Sequence, residues 1–306
     1  MDISTIIIYL KDLIATIMTL LMMMSPAFGH TGAAYQAKDP DKLIMSFAAV
    51  SDTHVETNNP ESYENLKNVL EGMKGGENID AAVYLGDNVM NGQFLENVLF
   101  YNAVKAISPA KENFVVMGNH DIGNGTGDFE EHKNNFVANN RLYLGNDIGD
   151  GYYYRVVNGC YMIFIASEEL TVNDCAMSKA QYDWLKSVLD EAKAADAPTL
   201  VFNHHPANYF RGIPEGALES GALVDLLKNY EGILYLHGHI HDDLGEDNFY
   251  QIEGINCVNL PRVTETVDYA PGDGVVVEVY ENEIVVRGRD FIKGEWIEGL
   301  DYTYAY

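Results

Sequence analysis

A polar cluster at residues 118–121 (Gly-Asn-His-Asp) directly follows the apolar run 114–117 (Phe-Val-Val-Met). The glycine allows a sharp turn, so three polar side chains are presented where the predicted strand ends. The Asn119 oxygen could bind a cation, and His120 could bind a metal or transfer a proton near neutral pH. Asn and Asp are also ordinary turn formers, so this tetrapeptide alone favours neither a site nor a simple turn.

Four other apolar runs end in the same way, in clusters that contain Asp52, Asp87, His204 and His239. Ligands bind at the carboxyl edge of the strands in open α/β sheets, so five such endings predict one shared metal site. Of the nine histidines, seven lie in these clusters, which random scatter would not produce: His54, His120, His204, His205, His237, His239 and His241. The other two, His30 and His132, are expected to be solvated, and His237 is expected to pack.

The spacing within the clusters has a chemical meaning. Asp52-x-His54 and His239-x-His241 each place two residues at i and i+2, which project from the same face of an extended chain and could chelate together. Asp87 directly follows a glycine, so its carboxylate could reach across and bridge two ions. Mixed carboxylate, imidazole and amide ligands suit two divalent transition ions better than calcium or structural zinc.

Alternating strands and helices precede these clusters. Predicted strands cover residues 43–50, 81–85, 113–117, 152–157, 160–166, 199–202, 232–236, 255–260, 275–280 and 283–289. Predicted helices cover 62–74, 93–107, 128–139 and 219–230. A capping box of Ser178 and Gln181 predicts one more helix, and Asn158-Gly159 predicts a hairpin. Because no repeat or internal linker interrupts this order, residues 43–306 are predicted to form one domain.

The composition limits the class of partner. A formal net charge of −27 disfavours nucleic acid, whose phosphates need clustered Lys and Arg. A bound anion would have to be held by local positive charge, for which bound cations are one source. The three cysteines, Cys160, Cys175 and Cys257, show no zinc-ribbon or redox spacing, so we interpret them as structural.

The amino-terminal segment differs from the rest. An uncharged apolar stretch at 13–24 follows Lys11, and small residues follow at 25–27. This pattern predicts a signal peptide over residues 1–29 and a linker over 30–42, and therefore a secreted or cell-envelope protein. Asp2, Asp12 and a second apolar block at 6–10 fit a signal peptide poorly, so an uncleaved anchor that associates with a membrane is the alternative.

The order Asp-x-His, Gly-Asp, Gly-Asn-His-Asp, a His-rich turn and Gly-His-x-His resembles the calcineurin-like metallophosphoesterase superfamily, over roughly residues 43–290. The resemblance implies an α/β fold in which a two-sheet β-sandwich is flanked by helices, in four layers (α/β/β/α). It also implies two divalent transition-metal ions (Mn, Fe, Zn or Co).

The resemblance further implies a role for each site residue. One ion would be bound by Asp52, His54, Asp87 and His241. The other would be bound by Asp87 as a bridge, Asn119, His204 and His239. His120 would contact the reacting phosphate and Asp121 would hold its ring. His205 competes with His204 for one ligand position, and the resemblance favours His204.

One departure from the family pattern narrows the function. The second motif usually continues Gly-Asp-x-x-Asp, whereas this chain has Met90 at the fifth position. Protein Ser/Thr phosphatases have Asp-Arg-Gly there and purple acid phosphatases have a tyrosine, so the resemblance is to the bacterial-type phosphodiesterase and phosphatase branch. In such an enzyme a metal-bridging hydroxide attacks phosphorus in line, and His120 stabilises or protonates the leaving oxygen.

Several functional alternatives stay open at this stage. A phosphodiesterase is favoured over a phosphomonoesterase, and a binding protein that keeps the fold without turnover is the alternative from another class. The expected substrate is a small-molecule, lipid-type or nucleotide-type phosphoester. The loops at 123–151 and 208–221 are expected to select it, and the sequence does not determine the oligomeric state.

Overall fold

The computed structural model describes residues 34–76, 79–207, 216–217, 220–264 and 272–306, together with Leu13, Ile14, Ile17 and Leu21. Nearly all of the predicted signal segment, His30 and most of the 208–221 loop therefore lie outside the described residues. Within the described part, no helix is both long enough and apolar enough to cross a membrane.

Fourteen strands and five α-helices are found among the described residues. The strands are β1 (Met45–Val50), β2 (Ala81–Tyr84), β3 (Glu112–Val115), β4 (Tyr153–Val157), β5 (Cys160–Phe164), β6 (Asp174–Cys175), β7 (Thr199–Phe202), β8 (Gly216–Ala217), β9 (Leu234–His237), β10 (Phe249–Ile252), β11 (Ile255–Asn259), β12 (Asp273–Val279), β13 (Glu283–Asp290) and β14 (Glu295–Ala305). The helices are α1 (Pro60–Met73), α2 (Phe94–Ile107), α3 (Phe129–Asn139), α4 (Lys179–Ala194) and α5 (Ser220–Leu227), with a π-helical turn at Asn140–Leu144 and a 3-10 turn at Glu246–Asn248.

Two six-stranded mixed sheets form the centre of the fold. The first has the order β14-β13-β12-β1-β2-β3 and the second the order β10-β11-β9-β7-β5-β4, while β6 and β8 form a separate pair. In the first sheet β1, β2 and β3 are parallel, with Val50 opposite Tyr84 and Tyr84 opposite Val115. In the second sheet β7 and β9 are parallel, with Phe202 opposite Leu236. The parallel strands of each sheet therefore end side by side.

Period-two alternation explains how the layers pack. On β7, Leu200 and Phe202 join the core that lies between the sheets, whereas Val201 packs in a second core with Leu185 of α4 and Leu223 of α5. The Phe202 ring lies 5.7 Å from the Phe47 ring of the first sheet, centroid to centroid. On the other side of the molecule, α1 and α2 bury their apolar stripes in the core of the first sheet. The predicted helix-flanked two-sheet sandwich is confirmed.

The sequence missed some elements and one contact. Strands β10 and β14 were not predicted, because both are edge strands with few buried side chains. In the predicted capping box, Ser178 Oγ accepts a hydrogen bond from the Gln181 N–H at 3.2 Å. The Gln181 side chain bonds to both backbone groups of Ala166 instead of closing the box, because those buried groups need partners.

The cysteines have no disulfide partners. Cys160, Cys175 and Cys257 are all buried with free thiols. Burial raises the pKa of each thiol to about 12, so none is a reactive thiolate near neutral pH.

Candidate metal centre

The clusters that follow β1, β2, β7 and β9 meet at one edge of the sandwich. One ligand atom from each of Asp52, His54, Asp87 and His241 lies within 4.8 Å of the others, and we call these residues the first ligand group. Asp87, His204 and His239 satisfy the same criterion and form the second ligand group. Asp87 belongs to both groups, which is the arrangement that a bridging carboxylate requires.

In the first ligand group, imidazole and carboxylate atoms converge on one point. His241 Nε2 lies 2.9 Å from Asp52 Oδ1 and 3.1 Å from His54 Nε2. Asp52 is fully buried and His54 is 7% exposed, but 31% of the His241 side chain is exposed. The first ligand group therefore has one wall that is open to solvent.

The second ligand group also combines buried ligands with one partly exposed histidine, His239. His204 Nε2 lies 3.2 Å from Asp87 Oδ2 and 3.2 Å from His239 Nδ1. The other ring nitrogen of His204, Nδ1, is 2.8 Å from the Leu85 carbonyl oxygen, to which it donates. That bond fixes the ring and leaves Nε2 free to bind a metal.

His205, the rival of His204, lies behind the second ligand group. Its Nε2 is 3.4 Å from the Val172 carbonyl oxygen, and its ring packs at 4.5 Å against the His239 ring. The structure therefore places His204 among the candidate ligands and His205 outside them. His237 is buried, and its Nε2 lies 2.6 Å from the Tyr250 hydroxyl, so it packs as expected.

Asn119 lines the same cavity as Asp87, His239 and His241. The residue is 2% exposed, and its Oδ1 has no hydrogen-bond partner among the residues that the structure describes. A buried amide oxygen without a partner is unfavourable unless a ligand satisfies it. This oxygen and the converging imidazole nitrogens fit two divalent cations.

The backbone of the clusters is not extended, although an extended backbone was assumed in predicting that residues at i and i+2 chelate together. Asp52, His54, His239 and His241 all have positive φ angles, of 54°, 41°, 73° and 61°. Such conformations are strained for these side chains and are found mainly where function requires them. Because the chain curls, His239 and His241 point into different groups, so the prediction from spacing that they chelate together is wrong. Asp52 and His54 do lie in the same group.

Two glycines of the motifs are required because a carboxylate approaches each of them closely. A Cβ atom on Gly118 would lie 2.3 Å from Asp87 Oδ1, and one on Gly238 would lie 2.5 Å from Asp52 Oδ2. Real Cβ atoms do not approach other atoms so closely, so each glycine makes room for a carboxylate of a neighbouring cluster.

His120 lines the cavity, but Asp121 does not hold its ring. The Nδ1 of His120 lies 2.7 Å from the Met90 carbonyl oxygen, to which it donates. The buried Asp121 carboxylate instead accepts hydrogen bonds from the N–H groups of Gly118, Asn88 and Val89. The predicted contact between Asp121 and His120 is wrong, because these buried N–H groups occupy the carboxylate and the carbonyl replaces it at the ring.

Opposing charges set the protonation of the site. Burial alone would lower the pKa of His204, but the carboxylates of Asp87 and Asp52 raise it to about 9. Burial alone would raise the pKa of Asp87, but His204 holds it well below its usual value. Burial lowers the pKa of His54 and of His239 to about 4, so both rings are neutral and available as ligands near pH 7.

The cavity over the site has a volume of about 270 Å³. Besides candidate ligands and His120, its lining includes Asn124, Val172, Asn173 and Ile240, which were not predicted as site residues. Asn124 lies in the glycine-rich loop that was expected to select substrate, so position in that loop was a usable signal. Nothing in the sequence around Val172 and Asn173 indicated that they reach the site.

Comparison with known proteins agrees with this geometry. A sequence model of the calcineurin-like phosphoesterase family matches residues 45–243, well over half of the chain. A search of curated protein sequences found no match. Among solved structures, the chain is similar to a dimetal phosphatase from Danio rerio, with 16% identity over 86% of this chain and 99% of that one and a TM-score of 0.60. It is also similar to GAP50, the anchor in the inner membrane complex of Plasmodium, with 18% identity over 85% of this chain and 88% of that one and a TM-score of 0.50.

The two structural similarities, both below 20% identity, show the shared fold. The family match is specific to the segment that carries all five strand-end clusters. The chain therefore belongs to the calcineurin-like phosphoesterase family, whose members hydrolyse phosphoesters with two divalent metal ions.

Proposed function

We propose that this enzyme is a phosphodiesterase. The observation that carries the proposal is the chemistry of the cavity rim, where Asn124, Val172, Asn173 and Ile240 are all uncharged. Among the described residues that line the cavity, none is lysine or arginine. A phosphomonoester dianion gains from such a cation, whereas a diester carries one charge fewer and has a second organic group to accommodate.

We also propose a division of the ligands. The first ligand group would hold one ion, and the second ligand group with Asn119 would hold the other. Asp87 would serve both, because its Oδ2 lies 3.2 Å from His204 Nε2 in one group and 4.0 Å from His54 Nε2 in the other. When bound, the two ions supply Lewis acidity to the phosphoryl oxygens and lower the pKa of water.

We assign the role of proton donor to His120, which lines the cavity. Because its Nδ1–H donates to Met90, its Nε2 is the nitrogen left for the substrate. A protonated His120 would give the proton on Nε2 to the leaving oxygen as the bond between phosphorus and that oxygen breaks. The backbone N–H of His120 donates to Asp87 Oδ1 at 2.8 Å, so the donor is held in register with the shared carboxylate.

The substrate class is tested by hydrolysis of bis(p-nitrophenyl) phosphate beside p-nitrophenyl phosphate, with manganese, zinc or a chelator. We expect chelator-sensitive cleavage, with kcat/KM for the diester at least about tenfold higher, a difference of about 1.4 kcal/mol in the barrier. A higher kcat/KM for the monoester would make the protein a phosphomonoesterase. Absence of turnover with both ions bound would support the binding-protein alternative.

A rim variant sharpens this test. Asn173→Lys adds a cation to the uncharged rim and should raise the ratio of monoester to diester cleavage. Asn158→Lys, which adds the same charge at the β4–β5 hairpin away from the cavity, is the matched control. An unchanged ratio in Asn173→Lys would show that charge at the rim does not select between a monoester and a diester.

We further propose that the protein is exported or held at the cell envelope by its amino-terminal segment. The apolar stretch behind Lys11 supports this, as does the exposure of Leu13, Ile14 and Leu21, each more than half exposed. Amino-terminal sequencing of the native protein from separated cell fractions tests it. A processed terminus near residue 29 in the extracytoplasmic fraction is expected, and an intact terminus in a membrane fraction would support the anchor instead.

A further inference from the structure

We propose that Asn124 is a positioning residue, which turns the side-chain amide of Asn119 so that its oxygen faces the second metal ion. This inference rests on the role of Asn119 as a ligand in the proposed function. It concerns a residue outside the five strand-end clusters, in the glycine-rich loop 123–127.

Asn119 and Asn124 are joined by two hydrogen bonds. The side-chain Nδ2 of Asn119 donates to Asn124 Oδ1 at 3.0 Å. The backbone N–H of Asn124 donates to the Asn119 carbonyl oxygen at 2.7 Å. The first bond engages the nitrogen end of the Asn119 amide, and the second holds the loop at the distance that the first one needs.

The orientation of the amide decides whether Asn119 can bind a cation. An amide has a donor end and an acceptor end of almost the same shape, so packing alone does not distinguish them. With Nδ2 bonded to Asn124, the oxygen is the end left over, and it is buried without a partner among the described residues. If the Asn124 acceptor were lost, the amide could rotate and present an NH₂ group to the ion, which would repel it.

The backbone of the loop is suited to this contact. Asn124 has a φ of +49°, a conformation that asparagine tolerates better than most residues. Its neighbours Gly123 and Gly127 lie against the ring of His132 on α3, since a Cβ on either would come within 2.7 Å of His132 Nε2. His132 is therefore half-buried against the loop, and the expectation that it is solvated is wrong. Its ring gives the loop a fixed support.

Substitutions at Asn124 separate the effect of its side-chain acceptor from the effect of its backbone conformation. Asn124→Gly removes the side chain and keeps the positive φ, because glycine adopts it readily. Asn124→Asp keeps an acceptor oxygen at the same position. Asn158→Gly is the matched control, because Asn158 has a φ of +50° but lies in the β4–β5 hairpin, where its Nδ2 donates to the Ile44 carbonyl.

The experiment is equilibrium binding of Mn²⁺ and Co²⁺ to the metal-free full chain, with both binding steps resolved by a competing chelator. Wild type, Asn158→Gly and Asn124→Asp should each bind two ions. Asn124→Gly should bind one ion with unchanged affinity and the other about 10–100-fold more weakly, the range expected when the partner of a metal ligand is lost. Thermal unfolding of the metal-free variants reports folding separately.

Each outcome decides the inference. Equal second-ion affinity in Asn124→Gly and wild type would overturn it, as would an equal loss in Asn124→Gly and Asn124→Asp. Equal weakening of both ions would assign Asn124 a general structural role instead. Wild type that binds only one ion would overturn the two-ion function itself, so the two failures are distinguishable.

Discussion

The two ligand groups draw differently on the two sheets. The first takes Asp52, His54 and Asp87 from the first sheet and only His241 from the second. The second takes His204 and His239 from the second sheet, and Asp87 from the first. The carboxylates thus come from one sheet, and the other sheet contributes only imidazoles.

Two of the histidines, one from each group, also differ in burial. His204 is fully buried and its Nδ1 is fixed by the Leu85 carbonyl, whereas 31% of the His241 side chain is exposed. A solvent molecule can replace an exposed ligand, but a buried one leaves a gap between unpaired polar groups. His204 should therefore tolerate substitution less well than His241.

The largest effect is expected at Asp87, the residue that the groups share. Asp87→Asn keeps the side-chain volume but removes the charge that both ions need. We expect binding of both ions to weaken and phosphoester hydrolysis to fall by about 10³-fold, or about 4 kcal/mol. Elemental analysis after dialysis, beside kinetics, measures both.

Asp80→Asn is the matched control. Asp80 is also a buried carboxylate, but it directly precedes the first residue of β2, whereas Asp87 follows the last. Asp80→Asn should leave metal content unchanged. If Asp87→Asn lost one ion and kept the other at wild-type affinity, the carboxylate would not be shared.

His120→Ala should lower turnover without changing either ligand group. The ring belongs to neither group and is fixed by the Met90 carbonyl. Loss of a general acid typically reduces kcat by about 10²–10⁴-fold, and we expect the metal content to stay at two ions. A metal loss as large as that of Asp87→Asn would make His120 a ligand.

Substituting one histidine from each group compares the groups directly. We expect His204→Ala to weaken one ion by about 100-fold, and His241→Ala to weaken the other by about tenfold, since solvent can take the place of His241. Two-step binding curves provide the measurement. Equal losses would mean that burial does not distinguish these two ligands.

The smallest expected effect is a dependence of the stability of the metal-free protein on pH, caused by His204 of the second ligand group. In the metal-free protein the pKa of His204 is raised from 6.5 to about 9 by Asp87 and Asp52, against the effect of burial. The stabilisation from protonated His204 is therefore complete below about pH 6.5 and is lost as the pH rises through about 9.

Because a metal binds the neutral ring, metal binding at pH 7.5 should displace this proton. Calorimetric titration in buffers of different ionisation enthalpy counts released protons, and His204→Asn should release about one fewer than wild type. Equal counts would show that His204 is already neutral.

Much of the fold followed from local pattern. The apolar runs before the clusters became β1, β2, β3, β7 and β9, because a strand buried on both faces needs a continuous apolar sequence. The edge strand β14 was missed, since most of its residues are not buried and its sequence therefore carries little hydrophobic signal. Val172 and Asn173 were missed for another reason, because only the folded chain brings their loop over the cavity.

The sequence by itself determined the family, the sandwich fold and the kinds of side chain at the site. Residue type and order along the chain carry that information, because parallel strands must end at a common edge. Only the tertiary structure decided that the backbone at His239 and His241 curls, that a Met90 carbonyl orients His120, and that Asp121 binds backbone N–H groups. These are decided by left-handed backbone turns and by partners distant in sequence, which spacing along a chain does not encode.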